Sequence, residues 1–193
     1  MEIANFSIEI LLFLFVIAMV AGLLDTLAGG GGLISIPALI LSGVPPIAAL
    51  GTNKLQGSMG TATATFLMVK NKKIDPKATL PLMITAFIGS FLGTIALQFI
   101  DAAVLTFVIP AVLLIIAVYF LIAPKVKPDK NHLSDSVYRG GVVPSIGFYD
   151  GMFGPGTGSF FALAGVSCKG YDLIKSTAIA KSLNFSTNIA SLI

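Results

Sequence analysis

Residues 147–161 read GFYDGMFGPGTGSFF, and no regular helix can run through them. Pro155 has no N–H for a helical ladder, and Gly154, Gly156 and Gly158 each weaken a helix. In a water-soluble chain this would be an ordinary loop. Here apolar sequence continues on both sides, so the interruption falls at membrane depth. Irregular backbone is tolerated there only when it is buried in protein or lines a watery cavity. Asp150 sits in the same stretch, and a charged residue at that depth is by default a functional-site hypothesis.

Composition supports the membrane setting. The chain is 55% hydrophobic and 11% charged, against about 25% charged in ordinary soluble domains. Its formal net charge is only +3, and the basic residues gather in short loops. They read as topology signals and not as a nucleic-acid patch. A single cysteine, Cys168, excludes an internal disulfide and provides no metal cluster. The lone histidine, His132, lies in a polar loop and reads as a solvated residue. No cofactor is expected. The N-terminus carries Glu2 and Glu9 but no basic residue, so it lacks the n-region of a cleaved signal peptide, and the first apolar segment is expected to be retained.

In order, residues 10–24 are apolar and run into Asp25 and a glycine cluster, Gly29 to Gly32, before a second apolar piece at 33–41. Four consecutive glycines end a helix. Residues 48–69 are long enough to span but carry Thr52, Asn53, Lys54, Gln56, Ser58, Thr61, Thr63 and Thr65, so this helix should not face lipid all round. After a basic loop at 70–77, residues 80–100 and 102–123 read as plain spanning helices. The first holds Gly89 and Gly93, a spacing suited to close helix packing, and the second holds Pro110, a predicted kink. Residues 124–139 are the most polar stretch. A last segment, 171–193, begins with Lys175 and Lys181 and then turns apolar.

The chain repeats itself weakly. The offset that carries Asp25 onto Asp150 also carries Gly22 onto Gly147, with a glycine-rich run following each. With three positions of slippage, Leu55, Ser58 and Ala62 align with Leu183, Ser186 and Ala190. Each unit reads as an apolar arm, an Asp, a glycine-rich break, a short arm and a polar helix with one Lys. The expected class is therefore an all-α polytopic membrane protein of two repeats, each with a broken or re-entrant helix followed by spanning helices. The first repeat covers 1–124, a cytoplasmic basic loop 125–139, and the second repeat 140–193. The second is expected to lack two spans, since the sequence stops where the first unit continues into its plain helices.

Loop charges give an orientation. Lys70, Lys72, Lys73, Lys77, Lys125, Lys127, Lys130 and Arg139 fall in two loops separated by two spans, so both loops can be cytoplasmic. If each glycine-rich segment crossed the membrane once, Lys169 and Lys175 would lie outside. If each is a re-entrant hairpin, all ten lie inside and the halves are inverted repeats, a common transporter plan. The hairpin is the expectation; the length of the first arm argues against it.

Each break frees backbone N–H groups and the positive end of a helix dipole, which together form an anion seat. The predicted substrate-binding set is Gly30, Gly31, Gly32, Asn53, Lys54, Gly154, Gly156, Thr157, Gly158, Ser159, Lys181 and Asn184, with Lys181 approaching the second break. Asp25 and Asp150 are candidate proton carriers near the midplane, since burial can raise a carboxyl pKa. Structural readings stand beside these. The glycines can serve helix packing alone, the two Asp can cap or pair, and the two Lys can snorkel or pair with them. Neither glycine run continues into a phosphate-loop Lys-Ser or Lys-Thr, and no nucleophile–base set or metal triad is visible, which argues against an enzyme.

The residues 147–159, together with Ser176-Thr-Ala-x-Ala-Lys181-x-x-Asn184 and Gly29 to Gly32 followed by Pro37, resemble the TauE/SafE family of membrane permeases, in its YfcA-like branch. The resemblance covers essentially the whole chain. It implies a multi-pass permease of about eight spans in a prokaryotic inner membrane, exporting or importing small anions such as sulfite or organosulfonates. The expected function is secondary transport of a small anion through one central site. The alternative is proton-coupled transport of a small cation or amine on the Asp pair. Expected partners are the small-molecule substrate, the lipid bilayer and, as an open alternative, a second copy of the chain; nucleic acid is not expected.

Overall fold

The computed structural model of the chain describes residues 6–122 and 133–193. The Ser7 hydroxyl accepts from the Ile10 N–H and starts α1 (Ile8–Ala28), which Gly29 ends in the left-handed region at φ +73°. A glycine takes up that conformation without the steric penalty of a β-carbon. Three residues later α2 (Gly32–Leu41) begins. α3 (Pro46–Lys70) opens on a proline, where the missing N–H costs nothing. Asp75 caps α4 (Pro76–Gln98), and α5 (Ala102–Ile122) contains Pro110. Ser134 caps a short turn, α6 (Asp135–Val137), which passes through a π turn at Tyr138–Val142 into α7 (Val143–Met152). The π turn was not anticipated by the sequence pattern. α8 (Thr157–Lys169) and α9 (Leu173–Ala190) complete the chain, whose described residues contain helices and no strand.

Among the described residues, three helices are long and apolar enough to cross a membrane: residues 8–27 of α1, and all of α4 and α5. α1 and α5 keep much of their apolar surface exposed, including Leu12, Phe15, Met19, Phe107, Leu114 and Leu121. In water such faces would aggregate; in hydrocarbon they are the outer surface. α3 is longer than any of these at 25 residues but is polar. The hydroxyls of Thr52, Thr61 and Thr63 each turn back to the carbonyl four residues earlier, so their polarity is satisfied within the helix.

α9 is the buried centre: twelve of its eighteen residues are buried. Its hydroxyls bond to neighbouring backbones, Ser186 to Met83 on α4 at 2.7 Å and Ser176 to Ala162 on α8 at 2.6 Å. Ser90 on α4 reaches back to the Thr187 carbonyl at 2.8 Å. α4 and α7 pack backbone to backbone. A β-carbon on Gly93 would stand 2.1 Å from the Phe148 carbonyl oxygen, and one on Gly151 1.9 Å from that of Ser90. The expected packing role of Gly89 and Gly93 therefore extends to Gly147 and Gly151, which the sequence assigned only to the break.

Several loop cations have neighbours of their own. Lys169, at the end of α8, donates to Asp135 Oδ1 at 2.5 Å and to the Leu133 carbonyl at 3.0 Å. Lys72, Lys73 and Lys175 border one groove with Asp75 and Tyr171. Lys125, Lys127, Lys130 and His132 lie outside the described residues.

Candidate functional site

The two glycine-rich connections touch. Gly29 and Gly158 face each other so closely that a β-carbon on Gly29 would lie 2.7 Å from the Gly158 Cα. Beside this contact is a cavity of about 50 Å³, bordered by Asp25, Gly29, Gly31 and Gly32 from the first connection and by Asp150, Gly154 and Gly156 from the second. α3 adds Asn53, Gln56, Gly57 and Gly60, and α9 adds Asn184 and Asn188. Both polar helices thus deliver amides to the space where α2 and α8 begin.

The acids are held differently. Asp150 is 1% exposed, and Lys54 from α3, itself 4% exposed, places its Nζ 2.7 Å from Asp150 Oδ1. Asp150 Oδ2 is buried with no hydrogen-bond partner among the described residues. Asp25 is half-buried, and its Oδ1 accepts from the Gly31 N–H at 3.3 Å. Lys181 donates to the backbone carbonyl of Asp25. The sequence places Lys181 toward the second break; the hydrogen bond of its ammonium is to the acid-bearing residue of the first unit. Each polar helix sends its lysine to the other unit's acid-bearing arm, because a lone ammonium inside an apolar bundle must find an oxygen wherever packing supplies one.

Of the predicted binding set, Gly31, Gly32, Asn53, Gly154, Gly156 and Asn184 border the cavity, as do Asp25 and Asp150. Gly30, Lys54, Thr157, Gly158, Ser159 and Lys181 do not border it. The Thr157 hydroxyl is taken by the Gly154 carbonyl at 2.7 Å, which tightens the connection. Asn53 accepts from Ser35 at 2.7 Å, fixing its amide between α2 and α3. Gln56, Asn188, Gly57 and Gly60 were missed. A helical signal was present: Gln56 is three residues from Asn53, and Asn188 four from Asn184, so each pair shares a face.

A polytopic helical bundle with two touching helix interruptions around a small amide-lined cavity has the build of a membrane transporter. Residues 14–193 match the family described as Sulfite exporter TauE/SafE, and the chain belongs to that family of membrane transporters. It is 43% identical over 189 residues to a protein of Haemophilus influenzae named "Probable membrane transporter protein", covering 97% of this chain and 74% of that one. It is 41% identical to "Probable membrane transporter protein ORF9" of a Sinorhizobium species, covering 97% and 72%. It is 42% identical to "Probable membrane transporter protein YfcA" of Escherichia coli K12, covering 93% and 68%. No solved structure matches the chain.

Proposed function

We propose that this transporter moves a small anion, sulfite or an organosulfonate, through the cavity between the two glycine-rich connections, in the inner membrane of a prokaryote. The observation that carries the reading is the meeting of the α2 and α8 N-termini at one cavity bordered by three asparagines and a glutamine. Helix N-termini and amide N–H groups are the donors with which proteins hold small oxoanions. Both lysines turn toward the connections, which adds positive potential there.

The two-repeat, re-entrant arrangement belongs to the same proposal. The offset relating Asp25 to Asp150 relates Gly29 to Gly154, and both glycines have positive φ. α2 has ten residues and α8 thirteen, about 15 and 20 Å at 1.5 Å per residue, too short to cross a 30 Å core alone. The contact of Lys169 with Asp135, and the groove shared by Lys175 with Lys72 and Lys73, support a single basic end. By the positive-inside rule that end is cytoplasmic.

A second reading, proton-coupled transport of a small cation or amine, has one observation in its favour: both carboxylates border the cavity while neither lysine does. Flux in proteoliposomes carrying the purified protein separates the two. Sulfite-loaded vesicles should release sulfite faster than protein-free vesicles, with no acceleration of amine flux. Amine flux without sulfite flux would replace the first reading by the second.

A further inference from the structure

The end of α3, the start of α4 and the start of α9 enclose a groove that transport through the central cavity does not use. Its volume is about 530 Å³, and Lys72, Lys73 and Lys175 stand on its border. All three are exposed. The Lys175 Nζ lies 4.5 Å from the centroid of the Tyr171 ring, which holds that ammonium at the groove. One acid, Asp75, borders it as well, but its Oδ1 accepts from the Lys77 N–H at 2.9 Å as the cap of α4. Three cations against one capping carboxylate leave the groove positive.

The groove continues into an apolar one. A second space of about 290 Å³ shares Val69, Ile74, Pro76 and Thr79 with the first and adds Lys77, Leu80 and Met83. Along α9 the border passes from Lys175 and Ile179 to Ser182, residues at helical spacing on one face. Along α3 it passes from Val69 to Thr65, so the second space lies nearer the middle of these helices. Leu80 and Met83 lie one and two turns into α4, about 6 and 10 Å from its start. Leu80 is 54% exposed, so this part opens onto the outer surface of a helix apolar enough to span a membrane. Cations at the helix ends with apolar side chains a turn or two below them repeat the order of groups in a phospholipid.

We infer that this groove binds an anionic phospholipid of the leaflet at that end, its phosphate among Lys72, Lys73 and Lys175 and one acyl chain along Val69, Leu80 and Met83. Two features favour a lipid over a free phosphate. The apolar continuation offers a free anion nothing, and it opens onto the membrane face at Leu80. Binding there does not depend on what the central cavity carries.

The chain has no tryptophan, so one introduced at Leu80 reports on its own surroundings. Protein carrying Leu80→Trp is reconstituted in phosphatidylcholine bilayers, with chain-brominated phosphatidylglycerol or chain-brominated phosphatidylcholine as quencher. Phe107→Trp, at a site 79% exposed on α5, reports the general lipid surface. At position 80 the brominated phosphatidylglycerol should quench at about one-fifth or less of the mole fraction that brominated phosphatidylcholine needs, the scale of one or more lysine–lipid contacts. At position 107 the two should be equal. Lys72→Gln, Lys73→Gln and Lys175→Gln together should remove most of the preference at position 80 and leave quenching by phosphatidylcholine unchanged. In the unsubstituted chain in neutral detergent, phosphatidylglycerol should raise the thermal midpoint and phosphatidylcholine should not. Equal quenching by both lipids at position 80, or a preference undiminished by loss of the lysines, overturns the site. Absence of quenching there by either lipid would mean that protein covers the groove, and overturns it too. A preference erased by inorganic phosphate at constant ionic strength would assign the lysines to a free anion and overturn the lipid.

Discussion

The two acid-bearing arms share a motif and use it differently. In the first, Asp25 is half-buried and its carboxylate turns onto the Gly31 N–H, at the start of α2. In the second, Asp150 is fully buried, faces Lys54, and leaves the start of α8 to Thr157 and the backbone. α7 is clamped to α4 through Gly147 and Gly151, while α1 leaves most of its apolar side chains uncovered. A shared sequence pattern therefore gives one arm that is charge-paired and rigidly held, and one that is locally capped and loosely surrounded. The same substitution in the two arms should have unequal effects.

The largest effect is expected at Asp150. Asp150→Ala strands the Lys54 ammonium in the interior, and breaking a buried pair from one side costs about 3–5 kcal/mol. The yield of folded, monodisperse protein in detergent should fall sharply. Lys54→Met combined with Asp150→Leu should restore folding without restoring flux. Recovery of flux in that double variant would show that the pair is only structural. Asp25→Asn should be milder. It weakens one charge-assisted bond at a helix start, worth about 0.5–2 kcal/mol, so the thermal midpoint should drop only modestly. A collapse as deep as that of Asp150→Ala would erase the distinction between the arms.

The smallest effect belongs to a contact between the loop and the second unit. Asp135 is exposed, and Lys169 beside it holds its carboxyl below the usual carboxylate range, first through their hydrogen bond and then through charge. A carboxyl lowered on folding stabilises the folded state above its unfolded pKa, and that contribution drains away as pH falls below about 4. Asp135→Asn should therefore change the thermal midpoint slightly at neutral pH and not at all in strong acid. A difference that grows on acidification would mean the contact is not the source.

Much of this arrangement was legible in the sequence. Pro155 and its flanking glycines marked the place where α7 gives way to α8, and Gly29 the end of α1, because backbone chemistry at these residues is local. The pairing of Gly89 and Gly93 on α4 with Gly147 and Gly151 on α7 was only half visible. A small-residue spacing announces a close contact but not its partner. The destination of the lysines was half legible: pairing with the acids stood among the readings, and Lys54 does meet Asp150, but which arm each lysine reaches was not. Lys54 and Lys181 each lie in a polar helix, and which carboxyl or carbonyl they meet depends on how α3 and α9 pack beside the two arms. Asn188 and Gln56 were overlooked for a different reason: neither belongs to a glycine motif, and only their helical spacing from Asn184 and Asn53 links them to the cavity.

The Lys54–Asp150 contact also sets a timetable for the growing chain. Ribosomes add about 5–20 residues per second, so roughly 5–20 s separate the emergence of Lys54 from that of its acid. The central helix α9, whose Thr187 carbonyl receives Ser90 from α4, comes later still. Throughout that interval α3 must wait at the insertion machinery with an ammonium and an uncovered hydroxyl face. A nascent chain stalled before residue 150 should leave Lys54 open to a small amine-reactive reagent, and one stalled well beyond α9 should not.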